Sequence, residues 1–232
     1  MERAQMSGFR KVKTNDELKK KAANGEKRGI MTVENISKSV KIPDDCTHLL
    51  KADTNFKDKN ISNDIVRAID ETIDKRLSEN DDFLFDEIKI ARFSDDDKSV
   101  LITNLEVFGD RKRTQLYLNK LYFENSILED INSTCLSLYS SGWWKSKNLY
   151  DLVNHEIMHA RINNYNSIDK VEQLYQLLSE DTNVKGFCRL VDEYPSEFLN
   201  EVYVALHNGE AIEDKYLNIY NKYIKKYLGG NS

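Results

Sequence analysis

Residues 154–160 read NHEIMHA, which sets two of the chain's four histidines one helical turn apart with a glutamate beside the first. Residues four apart on a helix lie about 40° apart around the axis and about 6 Å along it. His155 and His159 therefore point the same way, and both rings can reach one ion. Zinc suits such a pair, because it binds imidazole at about 2.0–2.1 Å and its catalytic sites take three protein ligands and leave a position for water. Glu156 would then stand beside that water, off the metal, where it can take the water's proton. The chemistry so encoded is hydrolysis, a hydroxide-like nucleophile facing a polarised carbonyl. The alternative is a pair of surface or core-satisfied histidines on an ordinary amphipathic helix.

A third ligand must come from elsewhere. A histidine six residues after His159 would mark a metzincin, and that position is Tyr165. His48 and His207 have no supporting motif. The downstream segment YPSEFLNEVYVAL places Glu197 and Glu201 one turn apart on a helix that Pro195 opens. One of the two can bind zinc while the other accepts a hydrogen bond from a ligand histidine and fixes its tautomer. Without the histidine motif they would read as exposed carboxylates on an amphipathic helix.

Together, HExxHA and the later YPxEFxxE resemble the zincin metallopeptidases of the anthrax lethal factor and Pro-Pro endopeptidase type. The resemblance implies a Zn2+ cofactor held by His155, His159 and Glu197, with Glu156 as general base and Glu201 supporting a ligand histidine. It also implies a zincin-like domain with a small sheet, whose edge strand pairs with an extended peptide or protein substrate; TQLYLN, residues 114–119, is the expected edge strand. The family often carries a tyrosine seven residues before the third ligand to stabilise the oxyanion, where this chain has Leu190. Tyr194, in the YP pair, is the remaining candidate for that catalytic role. A second resemblance, in the order helix, three strands, helix, HExxH helix, is to metallopeptidase-like domains associated with phage head morphogenesis proteins. It implies a phage or prophage protein, an assembly partner and association with the virion. Two functions follow: a zinc-dependent endopeptidase, or a catalytically silent zinc-binding scaffold component of a phage particle. Leu190 favours the scaffold, and Glu156 the enzyme, since a purely structural zinc site needs no general base.

These residues need a scaffold that brings two distant segments together. Ile61, Ile65, Ile69, Ile73 and Leu77 recur every four residues and predict a helix capped by Asn60 or Ser62. FLFDEIKIARF, SVLITNLEV and TQLYLN are β-branched or aromatic runs with partial alternation, which predict a small, mostly antiparallel sheet. Ser126 with Glu129 spells a capping box ahead of Ile127, Ile131, Cys135 and Leu138. After SSGWWKS, one helix carries Leu149, Leu152, Val153 and the histidine motif, and another carries Ile168, Val171, Leu174, Tyr175 and Leu178. The helix opened by Pro195 has an apolar side that includes Phe198, Leu199, Val202 and Leu206 and ends near Asn208 and Gly209. A last helix aligns Ile212, Tyr216, Tyr220, Tyr223 and Tyr227, a stripe that reads as core packing. Strands first and helices after is an α+β order.

Composition narrows the rest. The chain has 232 residues, 31% charged and 40% hydrophobic, which predicts a globular domain over residues 31–232. Residues 1–30 carry nine Lys/Arg and four Asp/Glu, a net +5 that leaves −10 on the remainder of a −5 chain. Such an arm could touch nucleic acid, but without interleaved aromatics it reads as a solvated, flexible tail, and nucleic acid is not expected as a partner. Nor is a membrane, since no run approaches the roughly 20 apolar residues of a span. The amino-terminal stretch lacks the apolar centre of a secretory signal, so a cytoplasmic location is expected. Cys46, Cys135 and Cys188 stand far apart and outside CxxC pairs, which predicts buried thiols instead of disulfides or a thiolate metal site.

Overall fold

A computed structural model describes residues 42–229 apart from 47, 50, 51, 57, 58, 80–82, 95–98, 109 and 110. The basic arm of residues 1–30 lies outside the described residues. The described chain runs β1 (Asp53–Thr54), α1 (Asn63–Ser78), β2 (Glu87–Ala91), β3 (Leu101–Phe108) and β4 (Arg111–Asn119), and then a helical half. That half comprises α2 (Lys120–Phe123), α3 (Leu128–Ser140), α4 (Leu149–Tyr165), α5 (Ile168–Glu180), α6 (Arg189–Glu193), α7 (Phe198–His207) and α8 (Asp214–Tyr227). The fold is α+β, as the order of elements predicts.

The sheet differs from the expectation. Its strand order is β1-β2-β4-β3, with β1·β2 and β2·β4 parallel and only β3·β4 antiparallel. TQLYLN falls in β4, which is an interior strand, and the long edge strand is β3. The polar residues of β4 that suggest an edge are instead paired across the sheet: Gln115 Nε2 donates to Glu106 Oε2 at 3.1 Å and Asn104 Nδ2 donates to Gln115 Oε1 at 2.8 Å. Glu87, Lys89 and Arg113 complete this network at 3.0 and 3.2 Å. A buried polar group is tolerated when it is hydrogen-bonded, so alternation alone does not reveal which face meets water.

The helices follow their sequence signals more closely. Ser62 caps α1 by accepting from Ile65 N. Ser126 does not cap α3; that helix starts one residue later, with Ile127 N donating to Asp130 Oδ2 at 3.4 Å. Pro195 opens a single 3-10 turn, Pro195–Glu197, that leads into α7, and Gly209, at φ +65°, follows the end of that helix.

Two apolar cores flank α4. One joins α1 and the sheet, with Ile65, Ile69, Ile88, Leu116 and Leu118 packed against Val153 and Ile157. The other joins the later helices, with Leu174, Phe198, Val202 and Tyr220 packed against Met158 and Ile162. Tyr216, Tyr220, Tyr223 and Tyr227 are all buried there, as core packing requires. Flanked on both sides, α4 is a central helix, and a polar side chain along it must find partners inside the protein.

Candidate metal centre

Both ends of α4 are tied down. Asn148 caps its start by accepting from Asp151 N at 2.9 Å, and Asp151 Oδ2 accepts in turn from Lys147 N at 2.8 Å and from Asn208 Nδ2 at 3.0 Å. Asn208 follows the last residue of α7, so this bond fixes the α7 end against the α4 start. At the far end, Lys112 Nζ of β4 donates to Asn163 O at 2.7 Å and Asn166 O at 2.6 Å. A cation belongs at a helix C-terminus, where carbonyls lack partners.

Because α4 packs on α7, the two motifs meet. Glu197 Oε2 lies 2.9 Å from His155 Nε2 and 3.2 Å from His159 Nε2. Among the described residues, one group of His, Cys, Asp and Glu side chains could hold a metal: His155, His159 and Glu197, whose ligand atoms lie within 4.8 Å of one another. Donors about 2.0 Å from an ion in tetrahedral arrangement stand about 3.3 Å apart, so these spacings fit a divalent metal. His48 and His207 lie elsewhere, against Asp74 and the Tyr203 carbonyl.

The environment of His155 tests that fit. Its Nε2 faces Glu197, and its Nδ1 lies 2.8 Å from Glu201 Oε1, an ion-pair distance without good hydrogen-bond alignment. Both neighbours are carboxylate oxygens, which only accept, and a neutral imidazole has one N–H. With the proton on Nδ1 towards Glu201, Nε2 turns a lone pair to Glu197 Oε2, an arrangement that a cation between them satisfies. Glu201, fully buried, is held by Lys145 N at 2.6 Å. Thus Glu201 sits at the ring nitrogen of His155 that does not face Glu197.

His159 has an equivalent support that sequence reading misses. Its Nδ1 lies 2.8 Å from the Tyr175 hydroxyl. Tyr175 reads in the sequence as one apolar position on the α5 stripe, and only the packing of α5 against α4 reveals its polar end. Asn200, one turn after Glu197, also reaches this group, its Nδ2 lying 3.0 Å from Glu197 Oε2, and its spacing from Glu197 is the one sequence signal that points to it.

Glu156, about 100° round the helix from His155, points towards the sheet edge. Its Oε2 accepts from Thr103 N of β3 at 2.7 Å, and its carbonyl accepts from Thr103 Oγ1 at 3.2 Å. Since that N–H serves Glu156, it is not part of the ladder with β4 and faces the open side of β3. Glu156, His159, Glu197 and Tyr194 line a cleft of about 450 Å³, walled by β3 on one side and α5 on the other. Leu190 is 2% exposed within the helical core and lines no part of it. A second hollow of about 470 Å³, near Asp64, Glu129 and Lys147, holds none of these groups.

Among the described residues no helix is long and apolar enough to cross a membrane. No known protein family matches the chain, and neither does a curated protein or a solved structure.

Proposed function

We propose that the chain is a zinc-dependent endopeptidase, with His155, His159 and Glu197 as the ligands and Glu156 as the general base. The observation that carries this reading is the convergence of two imidazole Nε2 atoms on one carboxylate oxygen, at 2.9 and 3.2 Å, beside a cleft that Glu156 also lines. Two nitrogens and one oxygen suit zinc, though other divalent transition metals accept the same set. When bound, zinc supplies Lewis acidity, lowering the pKa of water and polarising a carbonyl.

The chain's own groups do the rest. Thr103 N–H fixes one Glu156 oxygen, so that the carboxylate is positioned to take a proton at the other. Glu201 and Tyr175 engage the two Nδ1 atoms, which keeps both Nε2 atoms turned to Glu197. The open side of β3 offers backbone groups to an extended peptide, and Tyr194 on the cleft wall is a donor within the same space. Among the described residues no lysine or arginine lines the cleft, while Glu156, Glu172 and Glu197 do; peptides with basic or neutral side chains near the scissile bond are therefore favoured over acidic ones.

A second reading, a silent zinc-binding scaffold component of a phage particle with an assembly partner, draws on Leu190. Its buried side chain gives the cleft no hydroxyl where the peptidases that its motifs resemble often carry one. Metal analysis of the purified chain, together with mass-spectrometric screening of a diverse peptide library before and after chelation, separates the two. Zinc near one per chain with chelator-sensitive cleavage supports the enzyme; zinc without cleavage supports the scaffold. Full zinc retention in Glu197→Ala would remove the ligand assignment itself.

A further inference from the structure

Asn200 is fully buried on α7, one turn beyond Glu197. Its Nδ2 lies 3.0 Å from Glu197 Oε2, the oxygen that both histidines face, and 2.8 Å from His159 Nε2. Its Oδ1 is buried with no hydrogen-bond partner. An unpaired buried amide oxygen costs about 1–3 kcal/mol, and the neighbouring helix positions Phe198, Leu199 and Val202 are apolar. A residue kept only for packing here would be apolar too. The polar end that does have a use is the NH2 group, and its use lies at two of the three ligand atoms.

We propose that Asn200 is a positioning residue of the metal centre, whose NH2 group holds the metal-facing oxygen of Glu197 against His159. This rests on the metal reading above. A carboxylate on a helix can rotate about three side-chain bonds, and a donor fixed one turn away on the same helix restricts that freedom before the ion arrives. Asn200 also keeps the site from gaining another negative charge. With Glu197 and Glu201 already buried beside His155, a further carboxylate would repel both until a cation neutralised them.

The test uses the full chain, stripped of metal and titrated with zinc against a chromophoric chelator, in the wild type, Asn200→Ala and Asn200→Asp. Asn200→Ala should weaken zinc binding about 10–100-fold, the range for groups that orient metal ligands. Asn200→Asp keeps the shape but exchanges donor for acceptor; its metal-free form should melt lower than the wild type, and zinc should raise its melting temperature by more. Cobalt substitution adds a spectroscopic readout, since a misplaced Glu197 shifts the visible absorption bands while a change of packing elsewhere does not. Wild-type zinc uptake with unchanged affinity and cobalt spectrum in both variants overturns the role of Asn200 and leaves the metal centre standing. No zinc or cobalt uptake by the wild type overturns both. Should Asn200→Ala not fold, the Asp variant decides alone: an equal zinc-induced rise in melting temperature to that of the wild type counts against the proposal.

Discussion

Replacing Glu201 by glutamine keeps the shape of a fully buried side chain and changes which atoms can donate. In the native chain Lys145 N donates to Glu201 Oε2 at 2.6 Å, and His155 Nδ1 lies 2.8 Å from Oε1. A carboxylate accepts at both oxygens, whereas a carboxamide has one oxygen and one NH2. If the glutamine oxygen stays on Lys145 N, the NH2 faces His155 Nδ1, which must then accept; the ring proton moves to Nε2, the atom that should bind the metal. If the amide turns over, Nδ1 keeps its acceptor, but an NH2 meets the Lys145 N–H, and a buried donor is left unpaired at about 1–3 kcal/mol. The first arrangement lowers zinc affinity by at least the 10–100-fold expected of such supports, equivalent to about 1.4–2.7 kcal/mol. The second lowers the stability of the metal-free protein. Chelator competition measures the affinity and urea unfolding of the stripped protein measures the stability. If Glu201→Gln leaves both within error of the wild type, Glu201 does not set the His155 tautomer and the reasoning is refuted.

Glu156→Gln should keep zinc and fold, because the amide oxygen can still accept from Thr103 N, yet any peptide that the wild type cuts should be cut at least ~100-fold more slowly, the lower end of what a positioned base contributes. Equal rates at equal zinc content would point to another base or a contaminant. Lys112→Met removes the donor that meets Asn163 O, Asn164 O and Asn166 O at 2.7, 3.3 and 2.6 Å; a loss of about 1–2 kcal/mol is expected from bonds to a charged donor at a helix end, read as a lower thermal midpoint, and an unchanged midpoint would mean that these contacts do not hold α4. Burial pushes the Cys46 thiol up to about 11 and the Cys135 thiol up to about 12, and raises that of Cys188 further. The thiolate is the reactive form, so at pH 8 a disulfide reagent should titrate none of the three in the native protein and all three in denaturant; rapid native reaction would show that one of them is exposed.

Local features of the chain already carry much of the site. His155 and His159 share a helix face because the period of an α-helix sets it, and Glu156 is adjacent by covalent order. Glu197 and Glu201 share the next motif for the same reason, and the tyrosines of α8 fall on its buried side at helical spacing. The four-residue rhythm of α1 likewise states both the helix and its core face. What spacing along the chain cannot express is which of two well-formed elements lie side by side. Glu197 reaches the histidines only because α4 packs on α7, and Tyr175 reaches His159 only because α5 packs there too. Strand order is non-local in the same way. TQLYLN is the edge expected from the sequence, and the parallel pairing of β4 with β2 is what makes it interior and leaves β3 at the edge. That step decides the site, since it turns the Thr103 N–H, a backbone group with no signature in the residue type, towards Glu156. Helix periodicity is a property of neighbours in sequence, while the cleft is made by contacts between segments far apart in it. Those contacts are chosen by the burial of whole apolar faces, and the polar groups take whatever positions that burial leaves them.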